Sequence, residues 1–407
     1  MKNRVVISVL ALLLATMPAA AQSLTSFKDN FGDHIYYQGF SNPTNGTEGM
    51  FQLWPTGPMN INMTALPVSS TAGNPPPMLQ GWATGYDLAS FVNARGQHLY
   101  YVDISGHIRH LLVFWNGTNN VITNEDLTAI TGVYSSHGPL SAFTNTRGEH
   151  MYTVDATWGH VVHLFWNGSR EIVEYFAAST GSPCTLNGSL AAQTALTTFG
   201  DGSTELVYYV GPSGHVCEFA FYNGSEGNYD LTAMSGASPA GDARQIAGFS
   251  DTNGQHVFYV GTNQHVYWLN LSPSGVWKKL DLTAQVGGNL AEWSSYVGNS
   301  LTAFSNAWGE QVFYTDVYQH VAKINVTNKT YQDLTAMSSG PVVMQASRCG
   351  TPITSIGNDD KSGEDVLYVG KDDHVWELHS SNSSSWSSLD LTSMYGGVRV
   401  PGCYVIT

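Results

Sequence analysis

Short apolar runs, each broken after a few residues by a turn rich in Gly, Asn or Asp, dominate the chain, and they recur in a fixed order. A run ending in Phe opens the unit, as in Leu140-Ser141-Ala142-Phe143 or Leu301-Thr302-Ala303-Phe304. After an Asn/Asp and Gly turn comes an aromatic run such as His98-Leu99-Tyr100-Tyr101-Val102 or His256-Val257-Phe258-Tyr259-Val260. A third run is headed by His-Val or His-Ile, as in His265-Val266-Tyr267-Trp268-Leu269, and the unit closes on Asp-Leu-Thr-Ala at Asp126, Asp230, Asp281 and Asp333, and as Asp390-Leu391-Thr392-Ser393 at the end. Runs of this length, bounded by such turns, predict strands joined by hairpins.

The opening aromatic falls at Phe27, Phe91, Phe143, Phe199, Phe249 and Phe304, with Ile356 in the last copy, so successive intervals are 64, 52, 56, 50, 55 and 52 residues. A period near 50 with four strands per copy is the content of a propeller blade. A β-solenoid would need specialised caps, whereas the last copy here is as regular as the middle ones. The expected fold is therefore all-β, a seven-bladed β-propeller of four-stranded antiparallel blades, with repeats beginning near 24, 88, 140, 196, 246, 301 and 353 in one domain from 22 to 407. The first copy is the most eroded, with Gly49 in the third-strand His place, Asn62-Met63-Thr64-Ala65 as its close and a Pro-rich insertion after it (Asn74-Pro75-Pro76-Pro77). The third copy lacks the closing Asp and reads Tyr175-Phe176-Ala177-Ala178. The tail from Val398 to Thr407 lies beyond the seventh closing motif and is expected to add a strand against the first blade.

Composition sharpens this picture. Residues 1–21 join a short basic head (Lys2, Arg4) to an apolar run and a Pro18-Ala19-Ala20-Ala21 site, the pattern of a signal peptide, so the expected location is secreted, extracellular or periplasmic. No later stretch is long and apolar enough for membrane insertion. A formal charge of −15 with only 16 Lys plus Arg disfavours nucleic acid and anionic membranes as partners. In an oxidising compartment the four cysteines are expected to form disulfides. Three pairings are possible, and Cys184 with Cys217 and Cys349 with Cys403 keep each bridge inside or beside one repeat.

The third-strand histidines His107, His160, His215, His265, His320 and His374 lie one per copy, so on a ring they are too far apart to share a metal ion. Each is expected to hydrogen-bond within its own blade, with the Asp of Asp-Leu-Thr-Ala as the candidate partner. No metal site or cofactor is read from the sequence. Among ten Asn-X-Ser/Thr sequons, Asn116, Asn167 and Asn223 precede Gly at one point of the repeat and read as hairpin turns. No HExxH, GxSxG, P-loop or GxGxxG motif is present. A glycosidase needs only two carboxylates at a set separation, so a polysaccharide hydrolase or lyase stays as an alternative, as does a protein-interaction scaffold.

The unit of apolar strand, aromatic strand, Gly-His-Val/Ile strand and Asp-Leu-Thr-Ala close resembles repeats of bacterial exported proteins in the fucose-specific lectin superfamily, which also holds fungal fucose-binding propeller lectins. The resemblance runs from about residue 23 to 397. It implies a carbohydrate-binding, lectin-like protein with several shallow sites between blades and glycans as partners, oligomeric state being unread. In the fungal lectins, whose rings have six blades, a second-strand Arg pairs with a third-strand Glu beside aromatics. Here the Arg place falls on His34, His98, His150, Leu206, His256, Val312 or Val366, and the Glu place on Gln52, His110, His163, Glu218, Trp268, Lys323 and Glu377. Trp115, Trp166, Trp268, Trp277 and Trp376 could stack on a pyranose. The candidate carbohydrate-binding residues are His98, His150, Glu218, His256, Trp268, Trp376 and Glu377.

Overall fold

In the computed structural model the described residues run from 24 to 400, apart from 30–31, 43–46, 55–58, 64–87, 104, 116–119, 134–138, 156–159, 177–181, 187–193, 202–203, 223–224, 242–244, 293–299, 345–351, 358–362 and 383. They form seven four-stranded antiparallel sheets, each built from four strands consecutive in sequence. The blades are 1 (Leu24–Asn62), 2 (Leu88–Asp126), 3 (Ser141–Phe176), 4 (Leu196–Asp230), 5 (Ile246–Asp281), 6 (Leu301–Asp333) and 7 (Ile353–Asp390). First strands touch first strands all the way round, blade 7 against blade 1 included, so the ring is closed and the first strand is innermost. The register sets the opening Phe, or Ile356 in blade 7, opposite a fixed second-strand place that is polar in every blade but the fourth, from Phe27 against His34 through Phe199 against Leu206 to Ile356 against Asp365. Turn glycines are required where the hairpin doubles back: a Cβ on Gly254, at φ +126°, would sit 1.9 Å from the Leu271 carbonyl oxygen.

The buried apolar residues divide into seven clusters, each drawn from two adjacent blades. The core thus lies in the seams between sheets, and every blade depends on its neighbours for burial. Near the axis the seams are also tied by hydroxyl pairs, Thr25 to Ser90 at 2.9 Å, Ser141 to Thr198 at 2.7 Å and Thr302 to Ser355 at 2.8 Å.

The closing motif has a separate duty for each side chain. Its residues form short helices α1 (Leu127–Thr131), α2 (Leu231–Ser235), α3 (Leu282–Val286), α4 (Leu334–Ser338) and α5 (Leu391–Met394). The Asp is the N-cap: one oxygen accepts the backbone N–H three residues on, as Asp281 does from Ala284 at 2.9 Å. The other accepts Nδ1–H of the third-strand His, at 2.8 Å for His107 to Asp126 and 2.7 Å for His215, His265, His320 and His374 to their partners. The Leu is buried in all five helices. The Thr hydroxyl accepts the backbone N–H that opens the third strand, at 2.8–2.9 Å from Ile108, Val216, Val266, Val321 and Val375. His and Asp recur together because they are one hydrogen-bonded unit. Burial alone would raise Asp126 and Asp390, but the His and backbone N–H bonds outweigh it and hold both carboxyls below the ordinary value.

Blade 3 has no described closing helix, and there the chain is fastened covalently. Cys184, in the crossing to blade 4, bonds Cys217 on the third strand of blade 4, with a Cα–Cα distance of 5.7 Å. Cys349, Cys403, the leader segment and the Pro-rich insertion lie outside the described residues. The described end of the tail does meet blade 1: Tyr37 Oη donates to the Val398 carbonyl at 3.0 Å and accepts from Val398 N–H at 3.1 Å. Among the described residues no helix is long and apolar enough to cross a membrane.

Candidate functional site

Each seam presents one frame of polar positions. On blade n these are the Asn or Asp ending the first strand, the second-strand residue opposite the aromatic, and the third-strand residue two places further toward the middle of the sheet. Blade n+1 supplies the residue just before its own second-strand place, which is Gln97, Glu149, Glu205, Gln255, Glu310 or Glu364 along the chain. By this register the second-strand place in blades 6 and 7 is Gln311 and Asp365, opposite Phe304 and Ile356, and not the neighbouring Val312 and Val366, which point into the apolar core.

Between blades 2 and 3 the frame is a relay. His98 Nε2 donates to Asn93 Oδ1 at 3.0 Å, His98 Nδ1 meets His110 Nε2 at 3.0 Å, and His110 Nδ1 reaches Glu125 at 3.0 Å. Since the Asn93 oxygen takes a proton from Nε2 of His98, the Nδ1 of His98 is left to accept from His110. Burial, then the neighbouring His110 and Arg95, lowers the His98 pKa to about 2, which agrees with a neutral acceptor. Across the seam Glu149 accepts from Asn93 at 2.9 Å and Arg95 at 2.6 Å, and the guanidinium lies 5.3 Å over Trp166. Between blades 3 and 4 the pattern repeats with Asn145, His150, His163 and Glu174, while Glu205 accepts from Arg147 and from the Tyr152 hydroxyl at 2.9 Å.

Other seams carry other chemistry on that frame. Between blades 1 and 2, His34 bonds Asp29 and Gln52, and Gln97 closes the gap through the Tyr36 hydroxyl at 3.0 Å. Between blades 5 and 6, His256 bonds Asp251 at 2.9 Å and accepts from Trp268 Nε1–H at 3.2 Å, its ring stacked on both Phe249 and the indole. Between blades 6 and 7, the fully buried Lys323 pairs with Glu364 and lies over Phe313 and Trp386.

Two seams differ. Between blades 4 and 5 the second-strand place is apolar, Leu206, so the third-strand Glu218 has no neighbour to bond. Glu218 is 4% exposed, and among the described residues no donor reaches its carboxyl. Burial alone raises its pKa to about 7. Beside it Tyr208, its cross-strand partner, donates to Gln255 of blade 5 at 2.7 Å, and the half-buried Trp277 of blade 5 meets the Tyr208 ring edge-on at 6.4 Å. Between blades 7 and 1, Asp365, Glu377 and His379 gather on blade 7, with Asp33 facing them from blade 1. Glu377 is pushed up to about 8 by burial and then by the charges of Asp365 and Asp33.

The expected binding residues thus separate into occupied and open. His98, His150 and His256 are fully buried and bonded inside their seams. Trp268 spends its N–H on His256, and Trp376 gives its own to Asp372 at 3.1 Å. Glu377 belongs to the acid cluster, and Glu218 stands alone. The Trp115 side chain lies outside the described residues. The sequence reading missed the partners that cross the seams, although the polar residue at the start of the second strand recurs along the chain. The axial channel is lined by inner-strand residues such as Leu88, Leu140, Leu196, Thr302 and Ile353, and none of its described lining residues is a carboxylate.

No family model matches the chain, and no curated protein does. Among solved structures it is similar to Aleuria aurantia lectin in complex with alpha-methyl-L-fucoside, at 12% identity and TM-score 0.50, over 96% of this chain and 97% of that one. It is also similar to a lectin from Burkholderia pseudomallei, at 14% identity and TM-score 0.54, over 91% of this chain and 98% of that one. At these identities the likeness establishes a shared propeller fold.

Proposed function

We propose that the protein is a secreted, lectin-like propeller that binds carbohydrate in a seam between blades, with Glu218 as the principal polar contact. The observation that carries this reading is the unpartnered carboxyl of Glu218. With no protein donor set against it, that carboxyl keeps its oxygens free to accept from a ligand hydroxyl. Tyr208 and Trp277 form an aromatic wall beside it, suited to the apolar face of a pyranose. The lectins that share the fold, one of them bound to a fucoside, support the class of ligand. Five of the other seams bond most of their polar side chains internally and the sixth gathers acids around a histidine, which favours one binding seam over several equivalent ones. The axial channel, with no carboxylate among its described lining residues, gives no support to a hydrolase acting there.

The test is a glycan array probed with the purified mature protein and with Glu218→Gln, Trp277→Ala and, as a control in a self-satisfied seam, Arg95→Ala. Binding to one sugar family that is lost in the first two variants and kept in the third is expected. Either a blank array, or binding that ignores both seam substitutions, overturns the assignment.

A further inference from the structure

The acid-rich seam between blades 7 and 1 carries chemistry of another kind. Asp365 lies directly opposite His379 in the antiparallel pair, and Glu377, two residues before His379, projects from the same face of its strand. Asp365 Oδ1 and His379 Nδ1 are 2.6 Å apart, and one donor atom from each of Asp365, Glu377 and His379 lies within 4.8 Å of the other two. Asp33 adds a third carboxylate from blade 1.

At the other seams the acid that the following blade supplies has a cationic or neutral donor set against it by the preceding blade. Arg95 serves Glu149, Arg147 serves Glu205, and Lys323 serves Glu364. Lys323 is the residue whose place Glu377 takes one blade on, so where seam 6/7 has an ammonium, seam 7/1 has a further acid. The nearest Lys to Asp33 is Lys28, at 3.9 Å and 38% exposed. His379 is 43% exposed, which leaves the cluster open to solvent.

We propose that Asp365, Glu377 and His379, with Asp33 as the fourth ligand and third oxygen donor, form a divalent metal site that clamps blade 7 to blade 1. One imidazole with carboxylates suits Zn²⁺ or Mn²⁺ better than Ca²⁺, which takes oxygen ligands only. Among the described residues, the other His and acid groupings hold helix ends or packed rings in place, whereas Asp365 and His379 bond each other across one strand pair. His150, His163 and Glu205 are sealed and served by Arg147, His256 is stacked between Phe249 and Trp268, and Asp333 and Asp390 cap helices while holding their histidines. The site closes the ring at the seam where the first and last blades meet without a covalent link between them among the described residues.

The experiment is calorimetric titration of Zn²⁺ into the EDTA-treated, dialysed mature protein, with Mn²⁺ and Ca²⁺ run in parallel and thermal unfolding recorded with and without metal. His379→Ala removes the nitrogen ligand at an exposed position, and Glu377→Lys restores the ammonium that Lys323 supplies next door. The wild type is expected to take up one Zn²⁺ equivalent that both variants lose or bind at least about 100-fold more weakly, and the metal should raise Tm in the wild type alone. Glu218→Gln should leave that equivalent in place, which separates this site from the carbohydrate reading. Absence of Zn²⁺ or Mn²⁺ uptake, or uptake of equal stoichiometry and affinity in His379→Ala and Glu377→Lys, overturns the proposal.

Discussion

Thr283→Val isolates one bond in the repeat's frame. The two side chains have nearly the same shape, so the substitution opens no cavity and changes a buried hydroxyl into a methyl. Thr283 is 3% exposed and its oxygen accepts the Val266 N–H at 2.9 Å. Without it that amide is buried with no acceptor, at a cost of about 1–3 kcal/mol. Thr283→Ser keeps the acceptor and loses one buried methyl, worth about 0.8 kcal/mol. Stability should therefore run wild type, Ser, Val. Because unfolding entropy is about 2.1 cal/mol/K per residue, a chain of this length moves its Tm by only about 1–2 °C per kcal/mol. Urea unfolding at constant m is the better assay. Thr232 and Thr335 hold the same bond in blades 4 and 6, and Thr232→Val with Thr335→Val should sum to within about 0.5 kcal/mol, since the sites share no partner. A Val variant as stable as the wild type, or more stable than the Ser variant, would refute the account of the motif.

Three further outcomes follow from the seams. Glu218 has a folded pKa of about 7 against an ordinary 4.5, so the folded state holds the extra proton between those values; stability should fall as pH rises from about 4.5 to about 7 and level off above, and Glu218→Gln should flatten that slope in unfolding midpoints taken across the range. Lys323→Met leaves Glu364 buried and uncompensated, which should cost about 3–5 kcal/mol in urea unfolding, while adding Glu364→Gln should recover most of the loss. Replacing Cys184 and Cys217 together by Ser opens a loop with 33 residues of separation, an expected loss of about 3–4 kcal/mol; an unchanged midpoint would mean that this bridge does not hold the crossing between blades 3 and 4.

What could be read from the sequence was whatever repeats. The period, the strand content and the His with its Asp partner recur at fixed offsets, so blade count and intra-blade bonding followed from local spacing. The register failed by one residue in blades 6 and 7, where Gln311 and Asp365, not Val312 and Val366, stand opposite Phe304 and Ile356. There the alternation of polar and apolar residues was the better guide, because both valines are buried in the apolar core of their seams. Partners across the seams escaped for a different reason. Arg95 and Glu149, or Lys323 and Glu364, lie 54 and 41 residues apart on adjacent repeats and differ in type at each seam, so no periodic signal joins them. The same limit explains Trp268, which resembled a sugar platform until the ring beneath it proved to be His256 and its N–H proved to be spent.

The division of labour between blade and seam bears on how one ring can hold unlike sites. Within a blade, the Asp, Leu and Thr of the closing motif satisfy a helix terminus, a core position and a strand N–H, so they cannot change without exposing an unpaired group. The seam residues bond mainly with one another. A relay of two histidines, a Trp on a His, a buried Lys with its Glu, and a group of three acids all occupy equivalent places without disturbing the strands that carry them. Substitution there must conserve charge balance and volume across one seam only. That freedom lets a single seam, between blades 4 and 5, leave its acid unbonded while its neighbours stay closed. It also predicts that transplanting the pair Leu206 and Glu218 into blade 3, as His150→Leu with His163→Glu, will require Arg147 to remain, because Glu205 already places one carboxylate in that seam. If the double substitution folds equally well after Arg147→Ala, charge balance across the seam is not the constraint argued here.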